Sequence, residues 1–157
     1  MATLTSNPNF LSPVGFQFKI DTQEFPNLEY FATACTMPGF NLTSVDTPFR
    51  GVNLAMTGDR LTFDELALRV NVTENLENYV ETFNWMHRLI NSNQKEENLK
   101  YDATLLILSS HNNVSKEIKF NGVFPTALSA IEFDTQAETV DYVQADITFG
   151  FTNFEIN

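Results

Sequence analysis

The sequence predicts an α+β fold dominated by antiparallel strands, with one helix beside the sheet. In most segments apolar residues alternate with polar ones, which is the pattern of a strand with one buried face. One stretch in the middle changes to the spacing of an amphipathic helix. The 157 residues include 15 phenylalanines, which supply large side chains for a core and for interfaces between chains. At this length we expect a single domain.

The change of period lies between Gly58 and Ile90. A turn at Gly58 is expected to lead into a half-buried strand, because apolar residues recur there at every second position. The predicted buried face of this strand consists of Leu66, Leu68, Val70 and Val72. Residues between them, such as Arg69, are expected to face the other way.

A helix is predicted over about residues 74–91, with Thr73 or Asn75 as its cap. Its apolar residues have helical spacing and should pack on the sheet. The predicted core stripe is Leu76, Val80, Phe83, Met86 and Ile90. We expect Trp85, the single tryptophan, to lie in the core, with an interface anchor as the alternative.

The chain before this stretch divides into an arm and several strands. Residues 1–13 are predicted to be an N-terminal arm, and residues 14–157 to form the domain. Strands are expected at 14–20, at 28–36 and, after the break at Pro38-Gly39, at 40–47.

Residues 48–60 leave two alternatives open. Their apolar side chains fit a strand or hairpin packed on the protein's own core, or a segment that reaches out to another subunit.

The chain after the helix is predicted to form two hairpins. A surface loop at 91–100 precedes a central strand at 101–110, which pairs with a strand at 114–122 that ends before Pro125. Residues 127–134 and 139–154 should form the last hairpin, across a turn at 135–138.

The charge argues against binding to nucleic acid. The formal net charge is -11, and no Lys or Arg follows Lys119. The same span contains six acids: Glu132, Asp134, Glu138, Asp141, Asp146 and Glu155. A surface without basic residues lacks the counterion release that drives duplex binding. We expect neither a membrane anchor nor a secretory signal, since no apolar run is long enough.

Catalytic patterns are weak, and we expect neither an enzyme nor a cofactor. With one cysteine there is no intrachain disulfide, and Cys35 lies in an apolar segment typical of a buried residue. A nucleophilic pair would need Cys35 with His87 or His111, and no orienting residue is evident. The sequence also lacks a zinc-ligand spacing, a calcium-binding loop and a phosphate-binding glycine motif.

Two long segments resemble one family. GDRLTFDELALRVNVTENLENYVETFNWM (58–86) is similar to the central segment of tail tube proteins of T-even-type contractile bacteriophages. KEIKFNGVFPTALSAIEFDTQAETVDYVQADITFGFTNFEI (116–156) is similar to the C-terminal pattern of the same family. This resemblance implies a sandwich or barrel-like β fold with one flanking helix.

The resemblance also implies a structural function. Six copies would form a ring, and rings would stack into a hollow tube that conducts double-stranded DNA into the host. The implied partners are further copies of the chain, the tail sheath protein, and baseplate and tail-terminator proteins. The implied location is the virion tail, after assembly in the host bacterial cytoplasm.

Residue roles follow as hypotheses. Residues 48–60 become a candidate inter-ring loop, with contacts from Phe49, Arg50, Met56, Asp59 and Arg60. An acidic wall would let DNA slide past, and its candidate lumen residues are Asp134, Glu138, Asp141 and Asp146.

Two alternatives remain open. A baseplate tube-initiator paralogue or the inner tube of a contractile injection or secretion system would share the fold. A more remote alternative is a monomeric β-barrel that binds a small ligand in a dry internal pocket.

Overall fold

A computed structural model describes residues 9–20, 23–91, 99–139 and 141–157. In these ranges the chain is mostly antiparallel strand with two helices, which confirms the predicted fold class. The elements in chain order are β1 (Phe16–Lys19), α1 (Pro26–Tyr30), β2 (Ala32–Thr36), β3 (Phe40–Phe49), β4 (Val52–Phe63), β5 (Leu66–Asn71), α2 (Glu77–Asn91), β6 (Tyr101–Leu108), β7 (Val114–Leu128), β8 (Gln144–Gly150) and β9 (Asn153–Ile156).

The long strand β7 joins the two parts of the main sheet. Its first part pairs with β6 on one side and with β9 on the other, and its last part pairs with β8. The order across the sheet is β1-β6-β7-β8-β5-β2, with β9 beside β7. The sheet therefore ends at separate strands and is not closed into a barrel. Strands β3 and β4 form a hairpin of their own.

The core includes the facing residues of β5 and β8. Leu66 pairs with Phe149, Leu68 with Ile147, and Val70 with Ala145. All six side chains are buried, which confirms the alternation predicted for both strands. Burying a side chain of this size contributes about 1.5–3 kcal/mol, so this pair of strands is a main source of stability.

Helix α2 begins through hydrogen bonds to the end of β5. The Thr73 hydroxyl accepts the Glu77 N–H at 3.0 Å, as predicted for a cap. The Asn78 amide donates to the Asn71 carbonyl at 2.6 Å and accepts from the Tyr79 N–H at 3.0 Å. These bonds satisfy a buried polar side chain and fix the rotation of the helix about its axis.

The predicted core stripe of α2 was wrong for most of its residues. Val80, Phe83 and Ile90 are 42%, 49% and 82% exposed, and Leu76 and Met86 are half-buried. The buried residues of the helix are instead Asn78, Thr82 and Trp85. Polar residues can occupy the inner face because their side chains are hydrogen-bonded. Asn78 donates to the Asn71 carbonyl, and the Thr82 hydroxyl donates to the Asn78 carbonyl at 3.3 Å. The prediction that Trp85 lies in the core is confirmed.

Two predicted boundaries before α2 also change. The strand expected at 28–36 begins only at Ala32, because Pro26 starts the short helix α1. Gly58, predicted as a turn, lies inside β4. A Cβ at that position would overlap the hydroxyl and carbonyl of Thr43, so glycine lets the two strands of the hairpin approach closely.

Two predicted boundaries after α2 change as well. Strand β7 continues through Pro125 to Leu128, because its last part pairs with β8 from Phe124 onward, with a register shift between Pro125 and Ala127. The first arm of the predicted last hairpin is not a strand, and residues 129–139 have no regular structure. The arm predicted at 1–13 and the loop predicted at 91–100 fall largely outside the described residues. The domain boundary at residue 14 stays a prediction.

Candidate assembly surfaces

Strands β3 and β4 form a long hairpin from Phe40–Phe63 to Phe49–Val52. Arg50 and Gly51 make its turn with φ of 48° and 81°. Positive φ at both central residues is the type I′ pattern, whose twist matches that of the two strands. Residues 52–63 therefore fold back on residues 40–49. The segment forms the hairpin that one alternative predicted, but its side chains remain largely exposed and are not packed on the core.

An aromatic cluster anchors the base of the hairpin to the main sheet. The ring of Phe63 lies 5.3 Å from that of Phe154 and 5.8 Å from that of Phe151. Phe40 also contacts Phe154, with ring centroids 6.1 Å apart. Each such pair contributes about 0.5–1.5 kcal/mol beyond area burial. The base of the hairpin is thus fixed while its outer part extends from the domain.

One face of the outer hairpin is apolar and exposed. Its members are cross-strand partners, so their side chains point the same way. This outer face consists of Val45, Met56, Thr47, Leu54, Phe49 and Val52. The five apolar side chains are 53% to 69% exposed. A contiguous exposed patch of this kind is typical of an interaction surface.

The five predicted contact residues all lie on this hairpin. Phe49, Arg50 and Met56 occupy its outer part, and the Arg50 guanidinium carbon lies 5.5 Å from the Phe49 ring centroid. Asp59 and Arg60 are exposed and lie where the pairing register shifts, nearer the base. The structure thus brings Phe49 and Arg50 together at the tip and separates them from Asp59 and Arg60.

The four predicted lumen acids divide into two environments. Asp134, Glu138 and Asp141 are exposed and belong to the irregular segment between β7 and β8. Asp146 lies on β8 and binds Arg69 of β5, with Nε 2.7 Å from Oδ1 and Nη2 3.4 Å from Oδ2. This hydrogen bond and the carboxylate charge raise the pKa of Arg69. Asp146 is therefore neutralised by its neighbour, unlike the other three.

A surface groove of about 590 Å³ lies beside the start of α2. Its walls are mostly apolar, and the acidic residues Glu74 and Asp141 are also among its lining residues. The principal apolar residues are Phe31, Val72, Leu76, Ile131, Phe133 and Val143. The sequence reasoning missed this groove because Ile131 and Phe133 were assigned to a strand. The alternation of apolar and polar residues around Ile131 and Phe133 could have indicated that one face of this segment contacts other residues. That these residues lie beside Phe31 and Val72 is visible only in the fold.

The environment of the Cys35 thiol does not support a function as a catalytic nucleophile. Burial raises the pKa of Cys35 to about 12, the opposite of what an activated nucleophile needs. Across the described residues, no group of three or more potential ligands could hold a metal ion. None of the described helices has the length and hydropathy to cross a membrane.

No protein-family model and no curated protein sequence matches the chain. Solved structures nevertheless share its fold. A chain of the anti-feeding prophage cap, a tube-terminating cap, superposes with a TM-score of 0.72 at 15% identity, covering 99% of this chain and 95% of that one. A chain of the PVC sheath–tube complex, an extracellular contractile injection system in its extended state, gives 0.66 at 17% identity and covers 99% of both chains.

A chain of the six-fold symmetrised anti-feeding prophage baseplate has a TM-score of 0.66 at 11% identity, covering 100% of this chain and 97% of that one. At these identities the likeness shows the fold. The fold that the resemblance implied is confirmed, and the similar chains come from cap, sheath–tube and baseplate assemblies.

Proposed function

We propose that this protein is a structural subunit of the hollow tube of a contractile tail or injection system. The observation that carries the proposal is the hairpin whose base is anchored and whose outer face is apolar and exposed. A protein that acts alone has no use for such a surface, whereas a subunit buries it against a neighbour. The shared fold over nearly the full length of a chain from a sheath–tube complex supports the same function.

We propose that rings form by pairing of sheet edges. The main sheet ends at β1 and at β2, so within the part of the chain that the structure describes each of these strands has one side without a partner strand. Such an edge readily pairs with a strand of another chain. Rings of six copies agree with the symmetry of the similar baseplate assembly. The hairpin, including Phe49, Arg50, Met56, Asp59 and Arg60, then makes contacts between stacked rings.

The finer proposal is a phage tail tube, surrounded by a sheath and joined to baseplate and terminator proteins. It belongs to a virion tail, is assembled in the host cytoplasm and lets double-stranded DNA pass. The exposed acids Asp134, Glu138 and Asp141 support this, because a channel wall that repels phosphates does not retain DNA. A subunit of this kind performs no catalysis.

The second candidate is a tube initiator or the inner tube of an injection system. The likeness to chains from the anti-feeding prophage baseplate and the PVC sheath–tube complex favours it. Both candidates use the same assembly surfaces and differ in what passes through the tube. A monomeric ligand-binding barrel is less well supported, since the sheet is open and the apolar groove lies at the surface.

Electron microscopy of the purified protein tests assembly. We expect rings with an open centre that stack into tubes. Adding charge to the apolar face with Leu54→Glu and Met56→Glu should leave rings that do not stack. Asn53→Glu and Ala55→Glu, on the opposite face of the same strand, are the matched control. A wild-type protein that stays monomeric at high concentration would overturn the proposal.

Ejection measurements test the passage of DNA. In phage particles assembled with Asp134→Asn and Glu138→Gln, two acids that do not line the groove beside α2, we expect normal tubes and slower ejection. An unchanged ejection rate in particles with normal tubes would exclude a function of these acids in the channel. The proposal that the protein assembles into tubes would not be affected by this result.

A further inference from the structure

We propose that the apolar groove receives the hairpin tip of a neighbouring copy. Phe49 enters the apolar part of the groove, and Arg50 pairs with Glu74 and Asp141. This inference rests on the proposed function as a self-assembling tube subunit. It adds the seat of the hairpin, that is, the site on the neighbouring copy that binds the hairpin tip. The proposed function leaves this site open.

The groove has the chemistry of a socket for an aromatic side chain beside a cation. Phe31, Val72 and Phe133 offer apolar surface, and the acidic residues Glu74 and Asp141 belong to the same lining. An apolar cavity with a few polar groups can orient one particular guest. Two acids in that lining favour a guest that carries positive charge.

The hairpin tip is such a guest. Phe49 is 59% exposed, and the guanidinium of Arg50 lies over its ring at 5.5 Å, so the aromatic surface and the cation form one unit. The neighbouring Val52 is 69% exposed and adds apolar area on the same face. Among the described residues other than its chain neighbours, none has an atom within 4 Å of the position that a Cβ on Gly51 would take, so the end of the turn is sterically open there.

The fold also prepares the tip for binding. The Arg50-Gly51 turn has the twist that the paired strands favour, and the aromatic cluster holds the base of the hairpin. A preformed tip loses little conformational entropy when it is bound. Charge complementarity selects a second copy as the occupant, since the chain itself carries both the cationic apolar tip and the acidic apolar socket.

Charge reversal tests the pairing. Arg50→Glu should raise the protein concentration needed for tube formation by about tenfold or more, since it turns attraction into repulsion at the seat. Lys116→Glu makes the same change of charge at an exposed position of β7, outside the hairpin and the groove lining, and is the matched control. Tubes would be quantified by pelleting and by negative-stain microscopy, with circular dichroism to confirm folding.

Restoration gives the decisive result. Glu74→Arg with Asp141→Arg should also prevent polymerisation, and mixing this variant with Arg50→Glu should restore tubes in which tips and sockets match between copies. If Arg50→Glu polymerises at the wild-type concentration, or the mixture does not polymerise, the pairing is wrong.

Cross-linking keeps the test independent of the charge variants. In a Cys35→Ala background, Val52→Cys and Tyr142→Cys should form disulfides between copies under oxidation, because Tyr142 also lines the groove. If the double-cysteine variant forms tubes without this cross-link, the proposed binding site of the tip is wrong and the proposed function still stands. A wild-type protein without rings or tubes would overturn the proposed function itself.

Discussion

The ring of Phe25 stacks on the ring of Trp85, with centroids 4.4 Å apart and planes inclined by 26°. Trp85 also donates its indole N–H to the Leu99 carbonyl at 2.8 Å, and its ring centroid lies 5.9 Å from that of Phe149 on β8. One side chain therefore connects α2 with the segment before α1, the segment before β6, and the sheet. The helix is held by this residue and not by the apolar stripe that its sequence suggests.

Truncating Trp85 should therefore cost far more stability than truncating Phe83. We expect Trp85→Ala to lower the free energy of unfolding by about 3–5 kcal/mol, because it leaves a cavity and an unpaired Leu99 carbonyl. Phe83→Ala should change it by only about 0.5 kcal/mol, since Phe83 is 49% exposed. Urea unfolding of the purified variants measures both. Similar losses for the two variants would contradict the observed rotation of the helix.

The Cys35 thiol should be unreactive in the folded protein. Because burial raises its pKa to about 12, only a very small fraction is thiolate at pH 8. We expect a thiol reagent to label the native protein at least about a hundredfold more slowly than the protein in urea. Rapid native labelling would show that the thiol is accessible and ionised.

Glu81 should make stability depend on pH. Its pKa is raised above the ordinary value of 4.5, chiefly by desolvation, against the hydrogen bond that Asn27 donates at 2.6 Å. Among the described residues, its Oε2 has no hydrogen-bond partner. The folded state thus keeps a proton that the unfolded state has released, so stability falls as pH rises from 4.5 through the folded pKa.

Glu81→Gln should remove this part of the pH dependence. We expect the variant to lose less stability than the wild type between pH 4.5 and neutrality, as measured by urea unfolding across that range. Glu132→Gln removes the same charge from an exposed position and is the control. Equal pH profiles for wild type and Glu81→Gln would refute the assignment.

The ion pair of Arg69 and Asp146 should contribute little to stability. Both side chains are about half exposed, at 50% and 55%, so water and salt screen their attraction. We expect Asp146→Asn to leave the urea midpoint nearly unchanged, and added salt to have no larger effect on the wild type than on the variant. A large shift in the midpoint would mean that the pair is less solvated than its exposure indicates.

Gly58→Ala should impair assembly more than folding. The added Cβ would overlap the hydroxyl and carbonyl of Thr43 across the hairpin, so the two strands must move apart. The core residues on β5 and β8 are untouched, and we expect the urea midpoint to change little while tube formation is lost. Normal tubes from Gly58→Ala would show that the close approach is dispensable.

Much of the strand pattern could be predicted because local alternation reports burial directly. Leu66, Leu68 and Val70 are buried as expected, and so are Ala145, Ile147 and Phe149. Burial in α2 could not be predicted in this way. Asn78 and Thr82 look like surface residues until their hydrogen-bond partners are known. Asn78 donates to the Asn71 carbonyl at the end of β5, and Thr82 donates to the Asn78 carbonyl one turn earlier in the helix.

The candidate assembly surfaces could likewise be predicted only in part. The sequence indicated that residues 48–60 are too apolar for a solvent-exposed loop without contacts, and it placed Phe49, Arg50 and Met56 in one segment. It could not relate that segment to the groove, whose lining comes from α1's end, β5's end and the segment after β7. Residues so far apart in sequence become neighbours only through sheet pairing.

The sequence by itself determined the antiparallel character of the fold, the position of the single long helix and the acidic, base-free C-terminal region. These depend on the local period of apolar residues and on composition. The tertiary structure alone decided which face of α2 is buried, that the hairpin is exposed, and that Asp146 is paired with Arg69. Each of these depends on three-dimensional contacts that the local sequence pattern does not reveal. Packing decides which side chains are buried, and the ion pair decides which acid is neutralised.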